Sequence, residues 1–354
     1  MTLADYITSF EAHAPVIHRP FLIAEAGVNH EGSMDLAKRL VDEAAAGGAN
    51  AIKFQTYKAD KIAARESPAY WDLTKEPTTS QHDLFKKYDK FWKKEFEALK
   101  RYCDEVGIEF LSTPFDVESA TFLNDLMGVY KISSSDLTNH PFIDFLCDFG
   151  KPILLSTGAS DMDEVFGAVQ RIEAKGNPLC LLHCILNYPT PEANANLGMI
   201  LDLRNRFPGA VPGYSDHTVP GDMGVLEAAV LLGAPVLEKH FTHDKTLPGN
   251  DHYHAMDQHD LRHFIGRMDV LFERLGSFRR HALPAEAPAR RNARRSLVLQ
   301  RDVPAGQAIT RADLTWKRPA FGISPQHIED VLGKSAVSDL KTDDILYWDQ
   351  LTRS

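Results

Sequence analysis

The stretch V-P-G-Y-S-D-H-T (211–218), followed after a helix-like interval by A-P-V-L-E-K-H-F-T-H-D (234–244), decides how this chain is read. In each part a short apolar run ends in polar residues and a histidine, His217 or His240. An apolar strand with polar residues at its C-terminal end, repeated, marks the rim of an active site in a parallel α/β protein. A single such histidine reads equally well as a buried, hydrogen-bonded core residue. Two at matched positions favour function.

Outward from this stretch, short apolar runs alternate with longer amphipathic ones. The strand-like runs are 21–25, 50–55, 108–113, 129–133, 152–156, 179–184, 211–215 and 235–241. Helical periodicity occupies 34–46, 91–106, 117–126, 162–172, 221–232 and 260–275. Eight such units over about 260 residues predict a (β/α)8 barrel. An open doubly wound sheet is the alternative, weakened by the lack of a Gly-rich dinucleotide loop. The polar segment 58–89, with Tyr70, Trp71 and Tyr88, is a long connection after the second strand. It is expected to be a lid or substrate-facing element, or else an ordinary surface excursion. The expected domains are 1–280, a Pro-, Ala- and Arg-rich linker at 281–294, and a small β-rich unit at 295–354 with strands at 296–299 and 314–317.

The chain has 354 residues, 44% hydrophobic and 25% charged, the balance of a globular protein. A net charge of −10 argues against nucleic-acid binding, yet leaves room for a locally positive site. No run of ~18 apolar residues exists to span a membrane. The N-terminus has no basic region followed by an apolar one, so a cytoplasmic location is expected. The four cysteines, Cys103, Cys147, Cys180 and Cys184, form no CxxC pair and are expected to be free thiols. The cluster Cys180–His183–Cys184 lies within one strand-like run, which favours a structural role over a metal site.

Residues two apart on a strand project together, which pairs Lys53 with Gln55, Ser215 with His217 and Glu238 with His240. Lysines in barrel strands are costly to bury unless paired or used. Lys53 and Lys131, with Ser134, Ser156, Thr157 and Ser215, compose an anion pocket for a phosphate or a carboxylate. The alternative is internal salt bridges to Glu25 or Glu238. The two histidines suggest a divalent metal with open positions, and imidazole alone does not choose among Zn, Fe, Ni and Mn.

The motifs F-L-I-A-E-A-G-V-N-H-E-G-S (21–33), A-I-K-F-Q-T (51–56), F-L-S-T-P-F-D (110–116), Y-K-I-S-S-S-D (130–136), K-P-I-L-L-S-T-G (151–158), L-L-H-C-I-L-N-Y-P-T-P (181–191), G-Y-S-D-H-T (213–218) and L-E-K-H-F-T (237–242) resemble the sialic acid synthase family. The stretch from R-R-S-L-V (294–298) to W-K-R-P (316–319) resembles the antifreeze-protein-like (SAF) module appended to those enzymes. The resemblance implies a TIM barrel followed by a SAF domain. It also implies condensation of phosphoenolpyruvate with an N-acyl-mannosamine-type aldose to a nonulosonic acid, with release of phosphate.

By the same resemblance, His217 and His240 would bind the metal, usually Mn2+, with Mg2+ or Co2+ as alternatives. Lys53, Thr113, Lys131, Ser134, Ser156 and Ser215 would hold phosphoenolpyruvate. Gln55, Tyr188 and Asp251 would contact the sugar. Glu25 would orient the sugar or assist proton transfer. Arg318 would enter the site of a second subunit, implying a domain-swapped homodimer. Asp136, Leu186, Asn250, His254, Ala255 and Ala320 depart from the family pattern. The acceptor therefore stays open: N-acetylmannosamine, a legionaminic- or pseudaminic-type precursor, or a non-acetylated sugar. A non-catalytic sugar-binding scaffold has no need of Glu25, Lys53, Lys131, His217 and His240 together.

Overall fold

All eight apolar runs become strands in the computed structural model, which describes residues 1–11, 17–249 and 251–352. They are β1 (Phe21–Gly27), β2 (Ala51–Thr56), β3 (Glu109–Pro114), β4 (Tyr130–Ile132), β5 (Ile153–Ser156), β6 (Leu179–Cys184), β7 (Val211–Asp216) and β8 (Val236–His240). The helices are α1 (Leu3–Thr8), α2 (Met34–Gly47), α3 (Ala59–Ile62), α4 (Gln81–Tyr88), α5 (Lys93–Val106), α6 (Val117–Leu123) and α7 (His140–Cys147). They continue as α8 (Met162–Lys175), α9 (Gly198–Arg206), α10 (Gly224–Leu231), α11 (Gln258–Leu275), α12 (Ala287–Asn292) and α13 (Ile328–Val331). Asn250 lies outside the described residues.

The strands pair in the order β3-β2-β1-β8-β7-β6-β5-β4, parallel at every ladder. Pairing of β1 with β8 excludes the open doubly wound sheet, whose first and last strands do not meet. The ends of the order, β3 and β4, pack side by side without a shared ladder, so the barrel is nearly closed. Every residue of β1 is buried, because one face looks into the barrel and the other lies beneath helices.

Local chemistry explains the elements. In α2, Ser33 caps the helix by accepting from the Leu36 amide, and Gly48 ends it at φ 97°, a left-handed conformation that glycine adopts without steric cost. Ala37, Leu40, Val41 and Ala44 fall on one face at helical spacing and are buried. Burial of Leu40 or Val41 contributes roughly 1.5–3 kcal/mol each. The short α1, not foreseen from its six residues, is held by a capping box between Thr2 and Asp5 and buries Leu3 and Ile7 in the barrel core.

Two compact units divide the chain, Met1–Gly276 and Ser277–Ser354. In the second, β9 (Ser296–Leu299) pairs antiparallel with β10 (Leu314–Lys317), at the positions the sequence indicates. Its separate core includes Leu297, Leu299, Ile309, Leu314, Val331 and Leu346. The stretch 281–294 is not plain linker: a 3-10 turn at Pro284–Glu286 leads into α12. Pro288 sits in the first turn of α12, where no intrahelical amide bond is lost. No helix among the described residues is long and apolar enough to cross a membrane.

Candidate active site

One cavity of about 340 Å3 opens at the C-terminal ends of the barrel strands. Its lining includes Glu25, Lys53, Gln55, Thr113, Lys131, Ser134, Ser156, Tyr188, Ser215, His217, His240 and Asp251. Of the site residues expected from sequence, only Arg318 belongs to the other unit, where it is exposed. Thr157 does not line the cavity; its hydroxyl donates to the Leu182 carbonyl at 2.9 Å.

Strand register builds the floor. Glu25 on β1 lies opposite Lys53 on β2 and His240 on β8, and Ser215 on β7 lies opposite Glu238. Lys53 Nζ contacts Glu25 Oε2, donates to Thr113 Oγ1 at 2.9 Å and stands 3.6 Å from Glu238 Oε2. Lys131 Nζ is 3.9 Å from Glu238 Oε1, which also accepts from Ser215 Oγ at 3.0 Å. Gln55 Nε2 donates to Glu25 Oε1 at 3.0 Å. The internal salt bridges weighed as an alternative therefore exist, on the same lysines that line the cavity. Ser156 Oγ is buried without a hydrogen-bond partner, a donor left over beside them. Gly27 ends β1 at φ 53°, and a Cβ there would lie 3.3 Å from Gln55 Nε2 and 3.4 Å from Glu25 Oε1. Glycine thus keeps both side chains in place.

Burial and neighbouring charges separate the carboxylates. Burial raises Glu25, Lys53 opposes it and Glu238 adds to it, leaving Glu25 at about 7. Burial also acts to raise Glu238, but Lys131 and Lys53 outweigh it and hold that carboxyl below its usual value. Lys53 stays above its usual value because Glu238 and Glu25 overcome burial, whereas burial dominates at Lys131 and lowers it. Near neutral pH one carboxylate is firmly ionised and the other is poised to hold a proton.

At the rim, the His217 and His240 rings lie 5.3 Å apart between centroids. His217 Nδ1 donates to the Ile185 carbonyl at 2.7 Å, which leaves its Nε2 lone pair free for another partner. His240 Nδ1 is buried without a hydrogen-bond partner, 3.9 Å from Asp251 Oδ2. Burial keeps the His240 imidazole neutral, the state a metal requires. Among the described residues no group of three or more His, Cys, Asp or Glu side chains could hold a metal ion. The two imidazoles fit an open site, with positions left for water or substrate oxygen.

Tyr188 packs on both rings, at 4.2 Å from His217 and 5.8 Å from His240. His254 is fully buried behind them, 5.0 Å from the His240 ring, with neither nitrogen hydrogen-bonded.

Sequence reading did not find Cys184, Ser133, Ser135, Tyr57, Leu84, Phe85 or Phe115 in the lining. The period-two rule offered a signal for Cys184, which ends β6 opposite Ser215. The aromatic residues gave none, because they converge from separate connections. The segment 58–89 faces the cavity: it carries α3 and α4 and supplies Ile62, Tyr70, Trp71, Gln81, Leu84, Phe85 and Tyr88 to its lining. Within the Cys180–His183–Cys184 cluster, His183 bonds the Ala195 carbonyl at 2.8 Å and stacks on Tyr214, a structural role.

A barrel that gathers lysines, carboxylates and imidazoles at its C-terminal rim has the layout of a barrel enzyme. The chain belongs to the NeuB family, whose profile matches residues 40–280, and carries a SAF domain over residues 294–352. It is 37% identical over 342 residues to the N,N'-diacetyllegionaminic acid synthase of Legionella pneumophila, spanning 94% of each chain. It is 31% identical over 337 residues to the human N-acetylneuraminate-9-phosphate synthase, spanning 93% of this chain and 92% of that one. Among solved structures, the N-acetylneuraminic acid synthetase of Leptospira borgpetersenii superposes with a TM-score of 0.68 at 34% identity, covering 77% of this chain and 90% of that one. The protein is a sialic-acid-synthase-like enzyme.

Proposed function

We propose that the enzyme condenses phosphoenolpyruvate with the open-chain form of a 2-acylamino aldose, giving a nonulosonic acid and inorganic phosphate. The observation that carries this reading is the convergence of Lys53, Lys131 and the Ser156 and Ser215 hydroxyls at the base of the cavity whose rim bears His217 and His240. Lys53, Thr113, Lys131, Ser134, Ser156 and Ser215 hold the carboxylate and phosphate of phosphoenolpyruvate. Gln55, Tyr188 and Asp251 orient the sugar. His217 and His240 are the residues that would hold a divalent ion, Mn2+ for preference over Mg2+ or Co2+; when bound it supplies Lewis-acid polarisation of the aldehyde oxygen.

Carbon C3 of phosphoenolpyruvate forms a bond to the aldehyde carbon, and the aldehyde oxygen takes a proton to become a hydroxyl. Glu25, whose carboxyl burial raises to about 7 so that it carries a proton in part near neutral pH, is the donor within the floor. Positive charge develops at C2, above the ionised Glu238. Water adds there with loss of a proton, and the hemiketal C–O bond to phosphate breaks. Arg318 contributes to the sugar side of a second copy's site in a domain-swapped homodimer.

The test is phosphate release from phosphoenolpyruvate with Mn2+ and a panel of N-acyl hexosamines. Release with at least one sugar is expected, lost on chelation and in His217→Ala and His240→Ala with the fold intact by circular dichroism. No release with any sugar in the presence of metal would move the protein to the sugar-binding scaffold reading.

A further inference from the structure

Among the described residues, both ring nitrogens of His254 are buried without a hydrogen-bond partner, and the side chain has no exposed surface. Leaving one buried polar group unpaired is unfavourable, and a phenyl ring would fill a similar space without that penalty. His254 is also one of the residues by which this chain departs from the family pattern. The imidazole calls for a partner.

The acid beside it is Asp251. Its Oδ1 lies 3.6 Å from His254 Nε2, and its Oδ2 lies 3.9 Å from His240 Nδ1, a second buried nitrogen without a partner. One carboxylate thus stands between two imidazoles, with an oxygen toward each. Both gaps exceed a hydrogen bond of about 2.7–3.2 Å, and both are too short for a water to stand in line between the atoms. A slight approach of the carboxylate closes them.

His254 is held in place for this contact. Its ring packs on Tyr188 at 5.6 Å, on Tyr253 at 5.1 Å and on His240 at 5.0 Å. The backbone just after it joins the end of β8: the Met256 amide donates to the His240 carbonyl at 2.8 Å, and the Thr242 amide donates to the Met256 carbonyl at 2.9 Å. His254 and His240 therefore share one backbone frame. Asp251 and His240 line the cavity, whereas His254 is not among the described lining residues, so it can reach the chemistry only through them.

A histidine that binds a metal donates its other ring N–H to a carboxylate or a carbonyl, which fixes its tautomer and the direction of the ring. His217 has the Ile185 carbonyl for this, 2.7 Å from Nδ1. His240 Nδ1 faces Asp251 instead.

We propose that His254 is a positioning residue: its Nε2–H holds the Asp251 carboxylate against His240 Nδ1, so that His240 keeps its Nδ1–H tautomer and offers Nε2 to the divalent ion. This rests on the reading of His240 as a metal ligand.

The experiment has two arms. In the first, the affinity of the substrate-free protein for Mn2+ is measured from the electron paramagnetic resonance signal of the free ion. His254→Phe is expected to weaken binding about 10–100-fold. Its melting temperature should be unchanged or raised, because an unpaired polar ring has been removed. His254→Gln, which keeps an N–H donor, should recover most of the affinity. In the second arm, 15N-histidine NMR of the metal-free protein reads the His240 tautomer, its signals assigned by their loss in His240→Ala. The Nδ1–H form should dominate in the unchanged protein and in His254→Gln, and lose its dominance in His254→Phe. Should His254→Phe not fold, His254→Met gives the same comparison.

An affinity in His254→Phe close to that of the unchanged protein, while His240→Ala abolishes binding, overturns the proposal and leaves the metal reading standing. An unmoved tautomer overturns it as well. If the unchanged protein binds no Mn2+, or binds it equally after His217→Ala and His240→Ala, the metal reading falls. The tautomer arm needs no metal and still decides whether His254 orients His240.

Discussion

Glu25 and Glu238 stand on either side of the Lys53 ammonium, and the charge of the cavity depends on which of them holds the proton. With Glu25 raised to about 7 and Glu238 depressed, Glu25 is the carboxyl that takes up a proton as pH falls through neutrality. A group acting in its protonated form loses activity as pH rises through its pKa. At saturating phosphoenolpyruvate, turnover should therefore fall above pH of about 7. Glu25→Gln should cost about 10²–10⁴-fold in kcat and leave a residual rate with no limb in that range. A limb that persists in Glu25→Gln would assign the titration elsewhere. The i, i+2 rule made Lys53, Glu238 and His240 visible in the sequence, and Glu25 was visible as a salt-bridge partner and through the resemblance. Their order of protonation was not, because it depends on distances between strands far apart in the chain.

At the scale of elements, the two faces of β7 and β8 carry different work. Glu238 and His240 face the cavity, while Lys239 between them turns to the opposite side, under the helices. There its ammonium meets Asp216 Oδ2 at 2.6 Å, both side chains almost fully buried. Burial would raise Asp216, but Lys239, the Thr218 amide and the Tyr214 hydroxyl overcome it and hold the carboxyl below its usual value. A depressed carboxyl contributes stability above its ordinary pKa of 3.8, and that stability is lost as pH falls through the lower folded value. Lys239→Met leaves a buried carboxylate without its counter-charge and should cost about 3–5 kcal/mol in urea unfolding at pH 7. A loss below about 1 kcal/mol would show that Tyr214 and Thr218 suffice. This pair was not foreseen, since a lysine beside a histidine in a strand gives no hint of what covers its outer face.

For the whole molecule, the question is how the unit 277–354 serves the barrel. If Arg318 completes a neighbour's site, Arg318→Ala should raise the sugar KM far more than the phosphoenolpyruvate KM. Mixing Arg318→Ala with His240→Ala, each weak alone at low sugar, should restore activity, because one hybrid site then has a natural barrel and a natural arm. Light scattering should report a dimer for both variants. No restoration after subunit exchange would argue that each chain completes its own site.

The alternation of apolar strand and amphipathic helix was written in the chain, and with it the eight strands, most of the large helices and the inward residues of each strand. That legibility has a local cause: period two and period 3.6 are properties of neighbouring residues. The short α1, the helices α7 and α9, and the helical turns within 58–89 and 281–294 escaped, because their stability comes from caps and from surfaces supplied by distant segments. Tertiary structure alone decided that β1 pairs with β8, that Lys53 sits between two carboxylates, and that aromatic residues from 57 to 115 converge as one wall. Each of these is a contact between residues remote in sequence, and its energy depends on distance and burial that no local pattern carries.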